Sequence, residues 1–337
     1  MRFLLTDEQR EFAHSLDGML STSGTPAVAR AWAAGDHQPG RALWKRIAGA
    51  GVFGLAVPER HGGSGLLPVE LALAFEELGR HAVPGPLAET MAAAAFLSGL
   101  GADAEAGEWL PRIAAGGVAL SLCAGAGPYA LEADDADPYA LDADAADTVL
   151  VIRGDMVSRT DTHGPVQSSL DPARRLARPL DGTVLARGPV VAAAAAHAVE
   201  VARLLTAAQS LGLGRALLAA TVSYVRQRTQ FGSPIGSFQA VKHRLADTLI
   251  GLEFAQPLVH AAALALAAGA PSAGREVAAA KVAAGEAGYA AARTALQLHG
   301  AIGYTEELDL SLWIRKARPL RDAWGTPAAC RARVLTG

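Results

Sequence analysis

The segment 226–249 constrains the fold of this chain most strongly, because it ends one long helical pattern and begins the next. Glycine and proline interrupt an apolar-periodic run between Gly232 and Gly236. Apolar residues then return at helical spacing in Phe238, Val241, Leu245 and Leu249. Such an interruption predicts two helices that meet at a short turn. That turn carries Arg228 and Gln239.

Alanine-rich helical patterns extend from this turn in both directions. They occupy residues 191–227, 236–269, 273–299 and 306–322. Four helices of this length predict a bundle. Alanine at facing positions permits helix axes to approach closely, which suits a subunit interface as well as a core.

The N-terminal part is expected to be helical from residue 1 to 116. Thr6 and Gln9 form a capping box, which predicts that a helix begins there. A glycine- and proline-rich loop is expected next, followed by helical patterns at 43–47, 69–79, 86–100 and 109–115. Gly62–Gly65 is predicted to be a structural turn rather than a phosphate-binding loop, because no strand precedes it and no Gly-Lys-Ser/Thr follows.

Residues 117–189 have a different texture, which predicts a small β domain. Short apolar runs at 118–123, 148–152 and 184–186 indicate strands. A tandem repeat of ten residues, 128–137 and 138–147, is rich in Asp and is predicted to be an exposed loop. It lacks the glycine and terminal glutamate of a calcium-binding loop, so no metal site is expected. The predicted class is α+β, mainly α, with a third domain at 190–337.

Charge and cysteine content narrow the classes of function. The formal net charge is −3 and no cluster of lysine and arginine alternates with aromatics, so no nucleic-acid partner is expected. Cys123 and Cys330 fit no metal or redox spacing, which indicates structural thiols in a reducing compartment. Early acidic residues argue against a signal peptide, and no uninterrupted apolar run reaches about 20 residues. A soluble cytoplasmic protein without a membrane anchor is expected.

Three patches of sequence resemble signatures of the acyl-CoA dehydrogenase family. They are 226–247, the stretch 297–306 followed by Arg315 and Gly325-Thr326, and the run 51–65 followed by 76–79. The resemblance covers the helical domains at both ends. It implies an N-terminal helical domain, a small β-sheet middle domain and a C-terminal four-helix bundle, with FAD as cofactor.

The resemblance also implies which residues contact FAD. The residues implied to border the FAD of a neighbouring subunit are Arg228, Phe231, Gln239, Gln297 and Gly300. Gly325 and Thr326 are implied to lie over the flavin of the chain's own site. A guanidinium suits a pyrophosphate because its fork of donors matches the oxygens, although residue type alone also allows Arg228 to be a solvated surface arginine. Ala301 stands where the family usually has a second glycine.

The family reaction is α,β-dehydrogenation of an acyl-CoA thioester, in which a carboxylate removes the α proton and hydride leaves to the flavin. The two positions where family members carry that base hold Trp324 and Ala202 here, so no catalytic residue is assigned. Arg203, beside the second position, is implied to lie on the substrate side. Glu200 is two residues from Ala202 and therefore about 200° away around the helix, so its side chain faces a different direction from that of residue 202. His299, before Gly300, is predicted to be a packed or capping residue rather than a base.

The middle domain also departs from the family, because it lacks the Thr-Glu-Pro stretch and the tryptophan-containing strand that hold the isoalloxazine ring. The pattern resembles the short non-catalytic subunits of bacterial heteromeric acyl-CoA dehydrogenases, including those acting on steroid side-chain thioesters. The implied partners are a homologous subunit that carries the base, an acyl-CoA substrate and an electron-acceptor flavoprotein, in a homo- or hetero-tetramer. One alternative is an active homo-oligomer whose base has moved to Glu200, Glu306 or Glu307. Another is a flavin-free helical scaffold.

Overall fold

The computed structural model describes residues 4–101, 103–125 and 139–336. Helices predominate, and a small sheet lies between two helical stretches. The helices are α1 Asp7–Ser21, α2 Thr25–Ala33, α3 Gln38–Gly49, α4 Pro68–Arg80, α5 Leu87–Leu100, α6 Asp103–Ala114, α7 Pro189–Gln227, α8 Gln239–Ala267, α9 Ala273–His299, α10 Leu310–Asp322 and α11 Pro327–Thr336. The strands are β1 Leu120–Gly125, β2 Ala140–Leu141, β3 Thr148–Arg153, β4 Met156–Thr160, β5 Thr162–His163, β6 Leu176–Ala177, β7 Pro179–Leu180, β8 Thr183–Arg187, β9 Thr229–Gln230 and β10 Ser233–Pro234.

The predicted capping box at the start of α1 is confirmed. The Thr6 hydroxyl accepts a hydrogen bond from the Gln9 amide at 3.2 Å, and the Gln9 side chain accepts one from the Thr6 amide at 3.0 Å. The loop predicted after α1 is wrong in part, because α2 lies within it. Pro26 suits the first turn of this helix, because the amide hydrogen that proline lacks has no partner there. Trp32, in the last turn of the helix, is fully buried.

Contacts divide the chain into two compact units. One unit contains Met1–Pro26, Ala72–Val83 and Arg203–Gly337, in so far as these are described, and the other contains Ala27–Leu71 and Pro84–Ala202. Helices α2, α4 and α7 contribute residues to both units. The boundaries of the three domains predicted from sequence stay predictions.

The second unit contains the sheet, whose strand order is β1-β3-β4-β8. Strand β1 pairs with β3 in parallel, and the remaining pairs are antiparallel. The apolar runs predicted as strands correspond to β1, β3 and β8. Strand β4 was not predicted, because its sequence mixes polar and apolar residues and only its pairing with β3 and β8 makes it a strand.

The acidic repeat is not an exposed loop where it is described. The first copy lies outside the described residues, and the second is described from residue 139 to 147. There Asp142 is only 1% exposed and accepts a hydrogen bond from the Trp32 indole at 3.1 Å. Asp144 pairs with Arg175 at 2.7 Å, and Asp147 pairs with a further arginine at 2.8 Å. The prediction fails because an indole and two arginines distant in sequence pair with these carboxylates.

The first unit contains the helices of the predicted bundle from Arg203 onward, together with α11, which was not predicted. One cluster of its core consists of leucine and alanine from α7, α9 and α10, namely Leu213, Leu217, Ala291, Ala292, Ala295, Leu310, Ala317 and Leu320. Glycine allows the helices to approach closely. A Cβ placed at Gly212 would lie 1.7 Å from the Glu76 carbonyl oxygen, and one at Gly288 would lie 2.6 Å from the Ser210 carbonyl oxygen. Close axial approach is therefore achieved by glycine as well as by alanine.

Helices α7 and α8 are long and apolar enough to cross a membrane by length and composition alone. The apolar window of α7 is 61% buried, which is typical of a core helix, whereas that of α8 is 39% buried. Cys123 and Cys330 are both buried, and no disulfide joins them.

Candidate functional site

A short hairpin joins α7 to α8 and carries the first two predicted cofactor contacts. Strands β9 and β10 pair antiparallel, and the Ile235 amide donates to the Arg228 carbonyl at 2.8 Å. At the tip, Phe231 and Gly232 both have positive φ, 54° and 79°. Two positive φ values in succession are those of a type I′ turn, which follows the right-handed twist of paired strands. The glycines and proline that interrupt the helical pattern in the sequence therefore form an ordered β-hairpin.

Phe231 is held at this tip in an unfavourable setting. A bulky residue at positive φ is strained, and Phe231 as a whole residue is 93% exposed. The ring packs edge-on against Phe238, with centroids 6.2 Å apart. Phe238 is the residue directly before α8, so the aromatic pair lies beside the helix start at Gln239. Strained, exposed aromatic residues of this kind are concentrated at binding surfaces.

The chemistry of this surface suits an anion. The Arg228 side chain is exposed and makes no hydrogen bond or ion pair within the described part of the chain. Helix α8 begins without a side-chain cap, so its first amides and the positive end of its dipole are open. Gln239 and Gln297 are exposed carboxamides that can both donate and accept. These groups fit the pyrophosphate and the polar edge of a dinucleotide.

The end of α9 contacts the last turn of α7, which leads into the hairpin. The His299 ring stacks on the Tyr224 ring, with centroids 4.1 Å apart and an angle of 24° between planes. Tyr224 in turn accepts the Arg228 amide at 2.9 Å through its carbonyl. Gln297 and Gly300 flank His299 in the chain. The structure therefore connects the hairpin and the end of α9 into one surface, here called the bundle end, formed by residues 224–239 and 297–300.

His299 is a packed residue, as predicted. It is 6% exposed, and its Nδ1–H donates to the Ala295 carbonyl at 2.8 Å, the only role open to it toward a carbonyl oxygen. A buried imidazole stacked on a phenol ring is poorly placed to take a proton from a substrate. We assign it no catalytic role.

The position of the usual base holds Trp324 on a constrained backbone. Trp324 has a φ of 60° and its carbonyl accepts a hydrogen bond from Arg203 Nε at 2.8 Å. Gly325 has a φ of 146°, and a Cβ there would lie 2.8 Å from the Cys330 sulfur. The Thr326 hydroxyl accepts the Ala329 amide at 3.2 Å in the first turn of α11. The local backbone is therefore set by packing, and no carboxylate is present on it.

Of the three alternative carboxylates, Glu306 and Glu307 do not supply an obvious base. Ala202 is fully buried, and Glu200 is 8% exposed. The Glu306 side chain is 79% exposed and pairs with Arg315 at 3.0 Å. Glu307 is also exposed. A base beside a flavin works in a site that excludes water, which neither exposed glutamate has.

A charged cluster between helices of the first unit was missed by the sequence analysis. Arg215 lies 3.1 Å from Glu76 and 2.9 Å from Glu253, and it donates to Gln256 at 2.9 Å. The cluster borders an open cavity of about 510 Å³. Burial raises the pKa of Glu76, and Arg215 opposes that shift. The sequence does contain a hint of this cluster. Arg215 is the only charged residue between residues 204 and 225, in an otherwise apolar and neutral stretch of α7.

One group of side chains offers metal-ligand atoms. Atoms of Asp17, Glu77 and His81 all lie within 4.8 Å of one another. These side chains already have partners, because His81 Nε2 lies 2.7 Å from Asp17 and Arg80 Nε lies 2.7 Å from Glu77. The group is accounted for as a set of ion pairs that ties α1 to α4.

Comparison with known proteins identifies the class. A family model described as the acyl-CoA dehydrogenase N-terminal domain matches residues 6–117, and one described as the acyl-CoA dehydrogenase C-terminal domain matches residues 192–335. The chain therefore belongs to the acyl-CoA dehydrogenase family, a family of flavoprotein oxidoreductases. The predicted family, and with it the predicted fold class, is confirmed.

Particular relatives refine this picture. "Acyl-CoA dehydrogenase IpdE2" of Mycobacterium tuberculosis is 33% identical over 92% of this chain and 91% of that protein. "Acyl-CoA dehydrogenase FadE34" of the same organism is 33% identical over 93% of this chain but only 45% of that protein. Among solved structures, the "Tcur3481-Tcur3483 steroid ACAD G363A variant" is 26% identical over 97% of this chain and 96% of that chain, with a TM-score of 0.83. The ChsE4-ChsE5 complex from Mycobacterium tuberculosis has a TM-score of 0.84 at 24% identity, over 99% and 98% of the two chains, which is a likeness of fold.

Proposed function

We propose that this chain is a subunit of a heteromeric, FAD-dependent acyl-CoA dehydrogenase in which a homologous partner carries the catalytic carboxylate. The observation that carries the proposal is the bundle end. It presents an exposed cation, two carboxamides and a strained phenylalanine outward, while the usual base position holds Trp324. This combination suits a chain that completes a neighbour's cofactor site and lacks a base for its own.

The roles of the chain's own residues follow from their chemistry. Arg228 would hold the FAD pyrophosphate through a bidentate, charge-assisted contact. Gln239 and Gln297 would orient the polar edges of the nucleotide and flavin, and Phe231 would cover an apolar face. The flavin, when bound, supplies hydride acceptance, and the proton at the α carbon must be taken by a carboxylate of the partner.

The partner is expected to pack on α8. Four large apolar side chains lie exposed on this helix, Leu249, Ile250, Phe254 and Leu258. Ile250, Phe254 and Leu258 recur every four residues, which places them on one face. An exposed apolar stripe of this size is typical of a subunit interface. It continues from the helix start that carries Gln239, so a partner on this face would bring its own FAD toward the bundle end.

Two comparisons support a partner of the same family and a bulky substrate. FadE34 leaves more than half of its length unmatched by this chain, which is room for a second unit of similar size within one polypeptide. The Tcur3481-Tcur3483 structure, named for two proteins, is described as a steroid ACAD. On this basis the proposed substrate class is the CoA thioester of a steroid-derived or similarly bulky acyl chain.

The test is co-expression with a homologous chain that carries Glu directly before its Gly-Thr pair. The expected result is a stable complex with bound FAD and acyl-CoA-dependent dye reduction, and a colourless product when this chain is purified alone. A yellow, fully active protein from this chain alone would establish the homo-oligomeric alternative instead. A complex that forms without FAD would favour the scaffold.

The interface has its own matched pair of variants. Phe254→Asp should weaken the complex at least about thirtyfold, because truncating a central apolar anchor typically costs about 2 kcal/mol or more. Leu335→Asp is the control, since Leu335 is 86% exposed but lies on α11. If both variants associate with the partner equally well in analytical ultracentrifugation, the assignment of α8 to the interface is wrong.

A further inference from the structure

The predicted FAD contacts come from two segments far apart in sequence, the hairpin after α7 and the end of α9. A dinucleotide can be held by both only if their relative position is fixed. The structure contains one aromatic contact that joins them, the stack of Tyr224 on His299. We infer that Tyr224 and His299 act as an aromatic pin that positions Arg228 relative to Gln297 and Gly300 for flavin binding. This inference rests on the proposed function.

Each half of the pin is fixed to one of the two segments. Tyr224 lies four residues before Arg228, and its carbonyl accepts the Arg228 amide at 2.9 Å. The Arg228 carbonyl then accepts the Ile235 amide at 2.8 Å and closes the hairpin. A shift of Tyr224 would therefore be transmitted directly to the backbone of Arg228.

His299 is fixed just as firmly to α9. Its Nδ1–H donates to the Ala295 carbonyl at 2.8 Å, which sets the plane of the ring. The next residue, Gly300, has a φ of 65° and donates its amide to the Leu296 carbonyl, so the helix ends there. The ring plane of His299 thus determines where Tyr224 can stack. His299 acts through its neighbours and is a positioning residue.

The test measures FAD affinity of the assembled complex with changes in this chain only. His299→Ala is expected to weaken FAD binding about threefold to tenfold, the range that follows from the usual strength of an aromatic pair. Tyr224→Phe keeps the ring and should bind FAD like the wild type. Should His299→Ala fail to fold, Tyr224→Ala tests the same contact from its half-buried side.

Two readouts separate positioning from a general loss of stability. In an Arg228→Ala background, His299→Ala should cause little further loss, because the pin acts through Arg228; full additivity would overturn the inference. Hydrogen exchange of the chain without FAD should show faster exchange of the Arg228 and Ile235 amides in His299→Ala, and no change in Tyr224→Phe. Unchanged exchange in His299→Ala would also overturn it.

The two hypotheses can fail separately. If Arg228→Ala leaves FAD affinity unchanged, the proposed function loses its main contact, while hydrogen exchange still decides whether the pin holds the hairpin. If Arg228→Ala weakens FAD binding and His299→Ala does not, the proposed function stands and the pin is rejected.

Discussion

Replacement of Arg228 by alanine is the sharpest test of the cofactor assignment. The Arg228 side chain is exposed and has no partner within the described residues, so its removal breaks no internal contact. The hairpin is held by the backbone of Arg228, whose amide and carbonyl bonds measure 2.9 and 2.8 Å and do not involve the guanidinium. The fold should therefore survive.

The size of the effect follows from the kind of contact that is lost. A hydrogen bond to a charged group contributes about 1.5–3 kcal/mol. Arg228→Ala in this chain should therefore weaken FAD binding by the complex roughly tenfold to hundredfold. Arg228→Lys should restore only part of the loss, because an ammonium keeps the charge but not the bidentate fork.

The assay is FAD stoichiometry and dissociation constant of the purified complex, with the change placed only in this chain. Arg226→Ala is the matched control, since Arg226 is also exposed, lies in the last turn of α7 and has no predicted cofactor contact. Unchanged FAD affinity of Arg228→Ala in a correctly assembled complex would show that Arg228 is a surface arginine, and the other assignments at the bundle end would lose their support.

Three further outcomes are expected. With FAD added in excess, the isolated chain should reduce dye with acyl-CoA about 10²- to 10⁴-fold more slowly than the complex, because it has no positioned base, and Trp324→Glu should recover part of that rate. Burial raises the pKa of Glu76 and of Glu77, so their contribution to stability is full below the unfolded pKa near 4.5 and is lost as pH rises through the raised folded values. Denaturation of the wild type and of a Glu76→Gln, Glu77→Gln variant from about pH 7 down to the unfolded pKa near 4.5 should therefore show the wild type gaining relative stability as pH falls, and the opposite trend would contradict the assignment. Gly288→Ala should lower the free energy of unfolding by about 1–3 kcal/mol, because its Cβ would lie 2.6 Å from a carbonyl oxygen of α7; Gly18→Ala, with nothing within 4 Å, is the control that should not destabilise.

Local rules sufficed for the parts of the fold that depend on neighbours in sequence. The capping box at Thr6 needs only Gln9, and a helix with a buried stripe shows that stripe in its spacing. The same holds for β1 and β3, which are continuous apolar runs. The predicted ends of the bundle helices α7 and α9 agree with the structure within two residues for the same reason.

Contacts between distant residues were not predictable from one sequence. The sequence pattern predicts that Asp142 belongs to an exposed acidic loop. In the structure Asp142 is buried, and the indole of Trp32, far upstream in the chain, donates a hydrogen bond to it. The stack of Tyr224 on His299 joins positions in two different helices, and neither residue differs in pattern from its surroundings. Pairing across the fold decides both cases, and periodicity carries no information about it.

The backbone around Trp324 explains how a chain can lose its base and keep its fold. Arg203 donates to the carbonyl of Trp324, and the Trp324 side chain takes no part in that bond. Gly325 is required by the close approach of Cys330, whichever residue precedes it. The conformation that would present a base is thus imposed by packing from α7 and α11, so a residue at 324 can change without loss of the local structure. It follows that Trp324→Glu should fold like the wild type, and that retention of this backbone by itself carries no implication of catalysis.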